Sequence, residues 1–194
     1  MADTKKIAVL AYGSLLAHPG DWFGQNMETL VRCKTPFGVE YLGCSQRRCG
    51  APTLTRSKDS MPVYGGLIVV REKDAANQLI DLKEVRKRLA EREGTSNPNN
   101  IKDDIEYLGY RLVYSDFRAI FNSPTPAELS KAAVESVARC YKDGHVFMNG
   151  IRYLRENIEW GVITNLTRDY EATILRDAGA KTLDDAEQKL VEAA

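Results

Sequence analysis

The chain has 194 residues, 43% of them hydrophobic and 28% charged, and its 27 basic side chains balance 27 acidic ones. This length and composition are typical of a single globular domain and exclude a disordered or fibrous protein. The balanced charge lacks the basic footprint of nucleic-acid or membrane-surface proteins. We therefore expect no nucleic-acid or membrane partner, and a small-molecule or protein partner is favoured.

The sequence also predicts where the protein resides. No apolar run is long enough to span a bilayer, and the MADTKK start leads into a strand pattern instead of a signal sequence. We therefore predict a cytoplasmic protein.

The chain has four cysteines: Cys33, Cys44, Cys49 and Cys140. A core of this size does not need disulfides and nothing marks the chain as secreted, so reduced thiols are predicted. His18 and His145 lie far apart, and no second cysteine pair accompanies Cys44 and Cys49. We therefore expect no metal site.

The most informative segment is an apolar strand pattern that begins at Ile7 and stops at the turn Tyr12-Gly13-Ser14-Leu15-Leu16. Gly13 can adopt a positive φ, which lets successive backbone N–H groups converge on one anion, and Ser14 adds a hydroxyl group. An ordinary turn from strand to loop has the same pattern, so both interpretations stay open at this point.

The rest of the first two thirds combines strand patterns with one helix. Further strands are predicted at 30–33, 37–45 and 63–70, an amphipathic helix at 73–93 ending at Gly94, a polar loop at 95–100, and a strand or hairpin at 107–121. Sequential strands with short links favour a small antiparallel or mixed sheet or barrel.

The last third is predicted to be helical. Thr125, Pro126 and Glu128 form the signature of a capping box that opens a helix closed by Gly144. Further helices are predicted at about 149–160, 166–177 and 183–191. The sequence thus predicts an α+β fold in one domain, 1–194, with residues 122–194 as a helical C-terminal extension.

Four segments in this order carry a resemblance to a known family: the Tyr12–Leu16 turn, the segment 48–54, the strand 62–69 and the helix end Glu91-Arg92-Glu93-Gly94. Over about residues 5–121 the chain resembles the γ-glutamylcyclotransferase-like superfamily. The resemblance implies a small mixed β-barrel-like sheet with packed helices. It says nothing of the C-terminal third.

The resemblance also implies an activity. In such enzymes the α-amine of a γ-glutamyl amine, peptide or glutathione-like substrate attacks its own γ-carbonyl, and 5-oxoproline is released without a cofactor. A general base must take the proton of the α-ammonium group, and Glu93 matches that position. Backbone N–H groups of Tyr12, Gly13, Ser14, Leu15 and Leu16 would hold the substrate oxygen. Tyr12 and Tyr110 would line the pocket and hydrogen-bond the carboxylate or ammonium group of the substrate.

Alternatives remain for each of these roles. Glu93 lies on a charge-rich helix whose glutamates are ordinarily solvated, and Glu91, about 200° around the helix, is the alternative base. Tyr110 could instead pack in the core. The same scaffold could also be a non-catalytic protein that binds γ-glutamyl metabolites, or an amide-cleaving or acyl-transferring relative. The sequence does not indicate an oligomeric state.

Overall fold

The computed structural model describes residues 5–144 and 149–194. His145 and the start Met1–Thr4 therefore lie outside the described residues. Within them the strands are β1 (Ile7–Ala11), β2 (Met27–Ser45), β3 (Ala51–Ser57), β4 (Pro62–Val70), β5 (Ile101–Tyr107) and β6 (Tyr110–Ser115). The helices are α1 (Ser14–Ala17), α2 (Asp21–Asn26), α3 (Leu82–Glu93), α4 (Pro126–Lys142), α5 (Gly150–Glu159), α6 (Thr167–Asp177) and α7 (Leu183–Glu192). The α+β class is confirmed.

The chain forms two compact units. The first comprises Met1–Pro36 and Tyr64–Phe117, and the second comprises Phe37–Val63 and Arg118–Ala194. The long strand β2 contributes its beginning to the first unit and its end to the second. The C-terminal helices thus share a unit with β3, and the predicted single domain with 122–194 as an extension stays a prediction.

The sheet of the first unit is mixed, with β1 as a central strand. In this unit the strand order is β2, β4, β1, β6, β5. Val9 lies opposite Ile68 of the antiparallel β4 and opposite Val113 of the parallel β6. Residues 8–11 are all buried, which explains why β1 is an unbroken apolar run instead of an alternating one. The mixed sheet is confirmed, whereas the γ-glutamylcyclotransferase-like fold stays a prediction.

Helix α3 is shorter than predicted. It begins at Leu82, where Asp81 accepts a hydrogen bond of 2.8 Å from the backbone N–H of Glu84. The residues before it fold back instead, because the Asp74 carboxylate accepts the backbone N–H groups of Ala76 and Gln78 at 2.9 Å. Such local side-chain bonds compete with helix formation. The predicted end at Gly94 is confirmed, with a φ of 67°.

The strand or hairpin predicted at 107–121 contains the strand β6, but the hairpin to which β6 belongs starts earlier in the chain. It runs from Ile101 to Ser115, with its turn at Leu108 and Gly109. Strand β5 lies at the end of the strand order, and β6 is its only strand partner among the described residues. Its sequence IKDDIEY is therefore polar, which is why the pattern of residues gave no strand signal there.

The second unit combines the end of β2, its antiparallel partner β3 and helices α4–α7. The predicted capping box is confirmed: Glu128 accepts the Thr125 N–H at 2.8 Å, and Thr125 accepts the Glu128 N–H at 3.3 Å. From this start α4 buries an apolar face that includes Leu129, Ala133 and Val137.

One prediction about the cysteines is wrong. Cys49, at the end of a 3₁₀ turn, forms a disulfide with Cys140 of α4, and their Cα atoms lie 5.6 Å apart. This distance falls in the usual range for disulfides. Sequence reasoning missed the pair because 91 positions separate the two residues and only the fold brings them together. Cys33 and Cys44 are free thiols, as predicted.

In the described ranges, none of the helices combines the length and apolar character needed to cross a membrane. The cytoplasmic location stays a prediction.

Candidate functional site

The turn after β1 is built around one glycine. Strand β1 ends at Ala11, and Gly13 adopts a φ of 69° and a ψ of −143° immediately before the short helix α1. Residues with a Cβ rarely adopt this backbone conformation, so the sequence needs glycine there. The Leu16 N–H then donates to the Gly13 carbonyl oxygen at 3.1 Å. The positive φ predicted for Gly13 is confirmed.

The side chains of the turn anchor it in the first unit. Leu15 and Leu16 are buried, so their side chains pack inside the first unit, and the Leu16 N–H is already bonded to the Gly13 carbonyl oxygen. The Tyr12 hydroxyl donates to the Ser115 carbonyl oxygen at 3.1 Å and thereby ties the end of β1 to the end of β6. Ser14 is half-buried. The turn thus has fixed side chains and a fixed backbone path.

Two glycines of β4 make room for this turn. A Cβ on Gly65 would lie 2.7 Å from the Ala11 carbonyl oxygen, and a Cβ on Gly66 would lie 3.1 Å from Leu16 Cδ2. Contacts this short require a shift of the backbone or of a packed side chain. The pair Gly65-Gly66 in the strand motif therefore has a steric reason: β1 and α1 approach it closely, and Leu30 Cδ1 of β2 would lie 2.8 Å from a Cβ on Gly66.

Arg92 connects the end of α3 to the turn. Its Nη2 donates to Ser14 Oγ at 3.2 Å and to the His18 carbonyl oxygen at 2.8 Å, and its Nε donates to the same carbonyl at 3.3 Å. Its Nη1 donates to Glu93 Oε1 at 3.1 Å. One guanidinium group therefore contacts both the turn and the predicted base.

The two candidate glutamates have different surroundings. The side chain of Glu93 is 18% exposed, like that of Arg92 with which it forms an ion pair. Glu91 is 49% exposed and pairs with Arg88 at 3.1 Å and with Lys87 at 3.9 Å. Glu91 thus belongs to the solvated charged face of α3. Glu93, through Arg92, is connected to the turn.

Tyr110 lies elsewhere in the first unit. It is the first residue of β6, and its neighbour Arg111 lies opposite Ile7, at the start of β1. The turn follows the other end of β1, and a strand rises about 3.3 Å per residue. The structure therefore brings Glu93 and the Tyr12–Leu16 turn together and leaves Tyr110 apart from them.

A shallow depression of about 490 Å³ lies directly after the turn. It is lined by residues 17–21 with Gly24 and Gln25, and it includes His18, whose carbonyl holds Arg92. Neither this depression nor two larger ones of the first unit, of about 600 and 790 Å³, is lined by residues 12–16 of the turn or by Glu93. Among the described residues, no cluster of three His, Cys, Asp or Glu side chains could hold a metal ion.

When the chain is compared with protein-family models, curated proteins and solved structures, none of the three gives a match. The functional argument therefore depends on the geometry of this site. Arg92 is the site residue that sequence reasoning missed. Residues 84–93 contain several charged side chains, and the sequence does not distinguish Arg92 from the others. Only the fold shows which of these side chains faces the turn.

Proposed function

We propose that the protein releases 5-oxoproline from a γ-glutamyl amine, peptide or glutathione-like substrate, with Glu93 as general base and the Tyr12–Leu16 turn as the cradle of the substrate oxygen. The observation that carries this proposal is the Arg92 side chain. It contacts Ser14 Oγ and Glu93 Oε1 at 3.2 and 3.1 Å, so a carboxylate and the glycine turn lie within the reach of one guanidinium group.

The reaction needs a base close to the carbonyl that is attacked. Glu93 takes one proton from the α-ammonium group, and the resulting amine attacks the γ-carbonyl carbon of the same glutamyl group. The new C–N bond closes the five-membered ring, and the amide C–N bond to the leaving group breaks. Glu93 returns its proton to the leaving nitrogen, which also receives a proton from the ring nitrogen and departs as an ammonium ion.

Besides a base, the reaction needs donors that stabilise the oxyanion formed during the attack, and in this proposal the turn supplies them. The Ser14 and Leu15 N–H groups open α1 ahead of the Leu16 N–H, which is bonded to the Gly13 carbonyl oxygen, and Gly13 sets their direction. Donors fixed in this way contribute about 3 kcal/mol each where they have been removed in other enzymes. Because the nucleophile and the carbonyl belong to one molecule, the site mainly has to hold a folded conformer of the substrate.

The test is a panel of γ-glutamyl amines, γ-glutamyl dipeptides and glutathione incubated with the purified protein. We expect 5-oxoproline and the free amine to appear in equal amounts with at least one substrate. Binding of γ-glutamyl compounds by calorimetry, without 5-oxoproline from any of them, would contradict the enzyme and favour the γ-glutamyl-binding protein. Release of free glutamate instead of 5-oxoproline would favour an amide-cleaving relative.

A further inference from the structure

The Arg92–Glu93 pair has the charge arrangement of an amino-acid binding site. Two side chains of opposite charge, each 18% exposed, lie side by side with Arg92 Nη1 and Glu93 Oε1 3.1 Å apart. The α-carbon of a γ-glutamyl group carries a carboxylate and an ammonium group, which are also adjacent and opposite in charge. The pair is therefore complementary to both groups of the substrate at once.

The remaining contacts of Arg92 fix the position of its guanidinium group. Nε and Nη2 both donate to the His18 carbonyl oxygen, and Nη2 also donates to Ser14 Oγ. Nη1 is the nitrogen that contacts Glu93. A carboxylate that approached Nη1 would meet a charged donor whose orientation is already set, because Nε and Nη2 are held by His18 and Ser14.

We propose that Arg92 binds the α-carboxylate of the γ-glutamyl substrate and thereby determines the substrate class. This inference rests on the proposed function. The α-carboxylate replaces Glu93 as the acceptor of Arg92 Nη1, and the α-ammonium group becomes the new partner of Glu93. The exchange brings the ammonium proton to the base at the moment the substrate binds, so recognition and proton transfer use neighbouring residues.

The inference assigns different roles to the arginines of α3. Arg88 lies one helical turn before Arg92 and pairs with Glu84 at 2.7 Å and with Glu91 at 3.1 Å on the solvated face. Pairs of this exposed kind contribute little to stability. Arg88→Gln is therefore a matched control for Arg92→Gln, with the same change of charge on the same helix.

The experiment compares two substrates that share a leaving amine. One is a γ-glutamyl amide, and the other is the corresponding 4-aminobutanoyl amide, which lacks the α-carboxylate and would close to 2-pyrrolidinone. Arg92→Gln removes the bonds to the turn for both substrates, so the readout is the difference between them. We expect kcat/KM for the γ-glutamyl amide to fall roughly 10- to 100-fold more than kcat/KM for the 4-aminobutanoyl amide, mainly through KM. Arg92→Lys should recover part of the loss, and Arg88→Gln should change neither substrate.

A purely structural role for Arg92 gives another result. If Arg92 only held the turn through Ser14 and His18, Arg92→Gln would lower turnover of both substrates by the same factor, and this would overturn the inference. If Arg92→Gln does not fold, the wild-type protein still decides, because equal kcat/KM for the two substrates would also overturn it. A wild-type protein that turns over neither substrate nor the wider panel would instead contradict the proposed function.

Discussion

At the scale of single residues, the first prediction concerns the backbone conformation of Gly13. Gly13→Ala forces a Cβ onto a residue with a φ of 69° and a ψ of −143°, and we expect a loss of about 1–3 kcal/mol in the free energy of unfolding together with reduced turnover. Urea denaturation and 5-oxoproline release would measure the two effects.

Gly24 provides the control for that substitution. It lies in α2 without a positive φ, and a Cβ added there would meet nothing within 4 Å. Gly24→Ala should therefore stabilise the protein by up to about 1 kcal/mol and leave turnover unchanged. Equal effects of the two alanines would show that the conformation of Gly13 does not matter.

The sequence predicts such residues unevenly. Gly13 follows from a local pattern, since it follows an apolar strand, whereas Glu93 is singled out only by the resemblance of the helix end before Gly94 to the superfamily pattern. Arg92 and the separation of Tyr110 from the turn follow from neither, because they depend on where α3 packs and on the register of β6 against β1. Local sequence contains neither the packing nor the register.

At the scale of elements, the start of α4 depends on its capping box. Thr125→Ala removes the hydroxyl that accepts the Glu128 N–H, so we expect the free energy of unfolding at pH 7 to fall by about 1 kcal/mol. Thermal and urea denaturation would detect this change. Loss of helix signal without loss of stability would contradict the assignment.

The same cap predicts a dependence on pH. Hydrogen bonds from the Thr125 N–H and hydroxyl lower the pKa of Glu128, so the charged form is favoured in the folded state. This contribution is present above the unfolded-state pKa and is lost as the pH falls through the folded-state pKa. The difference in stability between wild type and Thr125→Ala should therefore shrink below about pH 4. A difference that stays constant down to pH 3 would contradict it.

Elements with strong local signals are the ones the sequence predicts well. The capping box of α4, the end of α3 and the C-terminal helices follow from side chains within a few positions of each boundary. The start of α3 does not, because the Asp74 turn competes with the helical period. Strand β5 is missed because an edge strand carries charged residues.

At the scale of the whole molecule, the Cys49–Cys140 disulfide joins the two segments of the second unit, Phe37–Val63 and Arg118–Ala194. Crosslinks of this kind stabilise mainly by limiting the unfolded chain, so reduction should lower the free energy of unfolding by about 2–5 kcal/mol. Denaturation with and without a thiol reductant measures this. Cys140→Ser should be insensitive to the reductant.

A thiol count tests the crosslink independently. The denatured protein should expose two reactive thiols, from Cys33 and Cys44, without a reductant and four after reduction. Four thiols in both cases would contradict the disulfide. The sequence predicted reduced cysteines, which is wrong for Cys49 and Cys140. Rules based on chain size and cellular context contain no information about which distant residues meet.

The measurement that tests the catalytic role of Glu93 most directly compares two glutamates two positions apart. Glu93→Gln keeps the shape of the side chain and an oxygen that accepts from Arg92 but removes the base, whereas Glu91→Gln makes the same change on the solvated face. The rate of 5-oxoproline release should fall about 10²- to 10⁴-fold in Glu93→Gln, with substrate binding retained, and stay near the wild-type value in Glu91→Gln. Full activity in Glu93→Gln, or loss in Glu91→Gln alone, would contradict the assignment of Glu93 as the base.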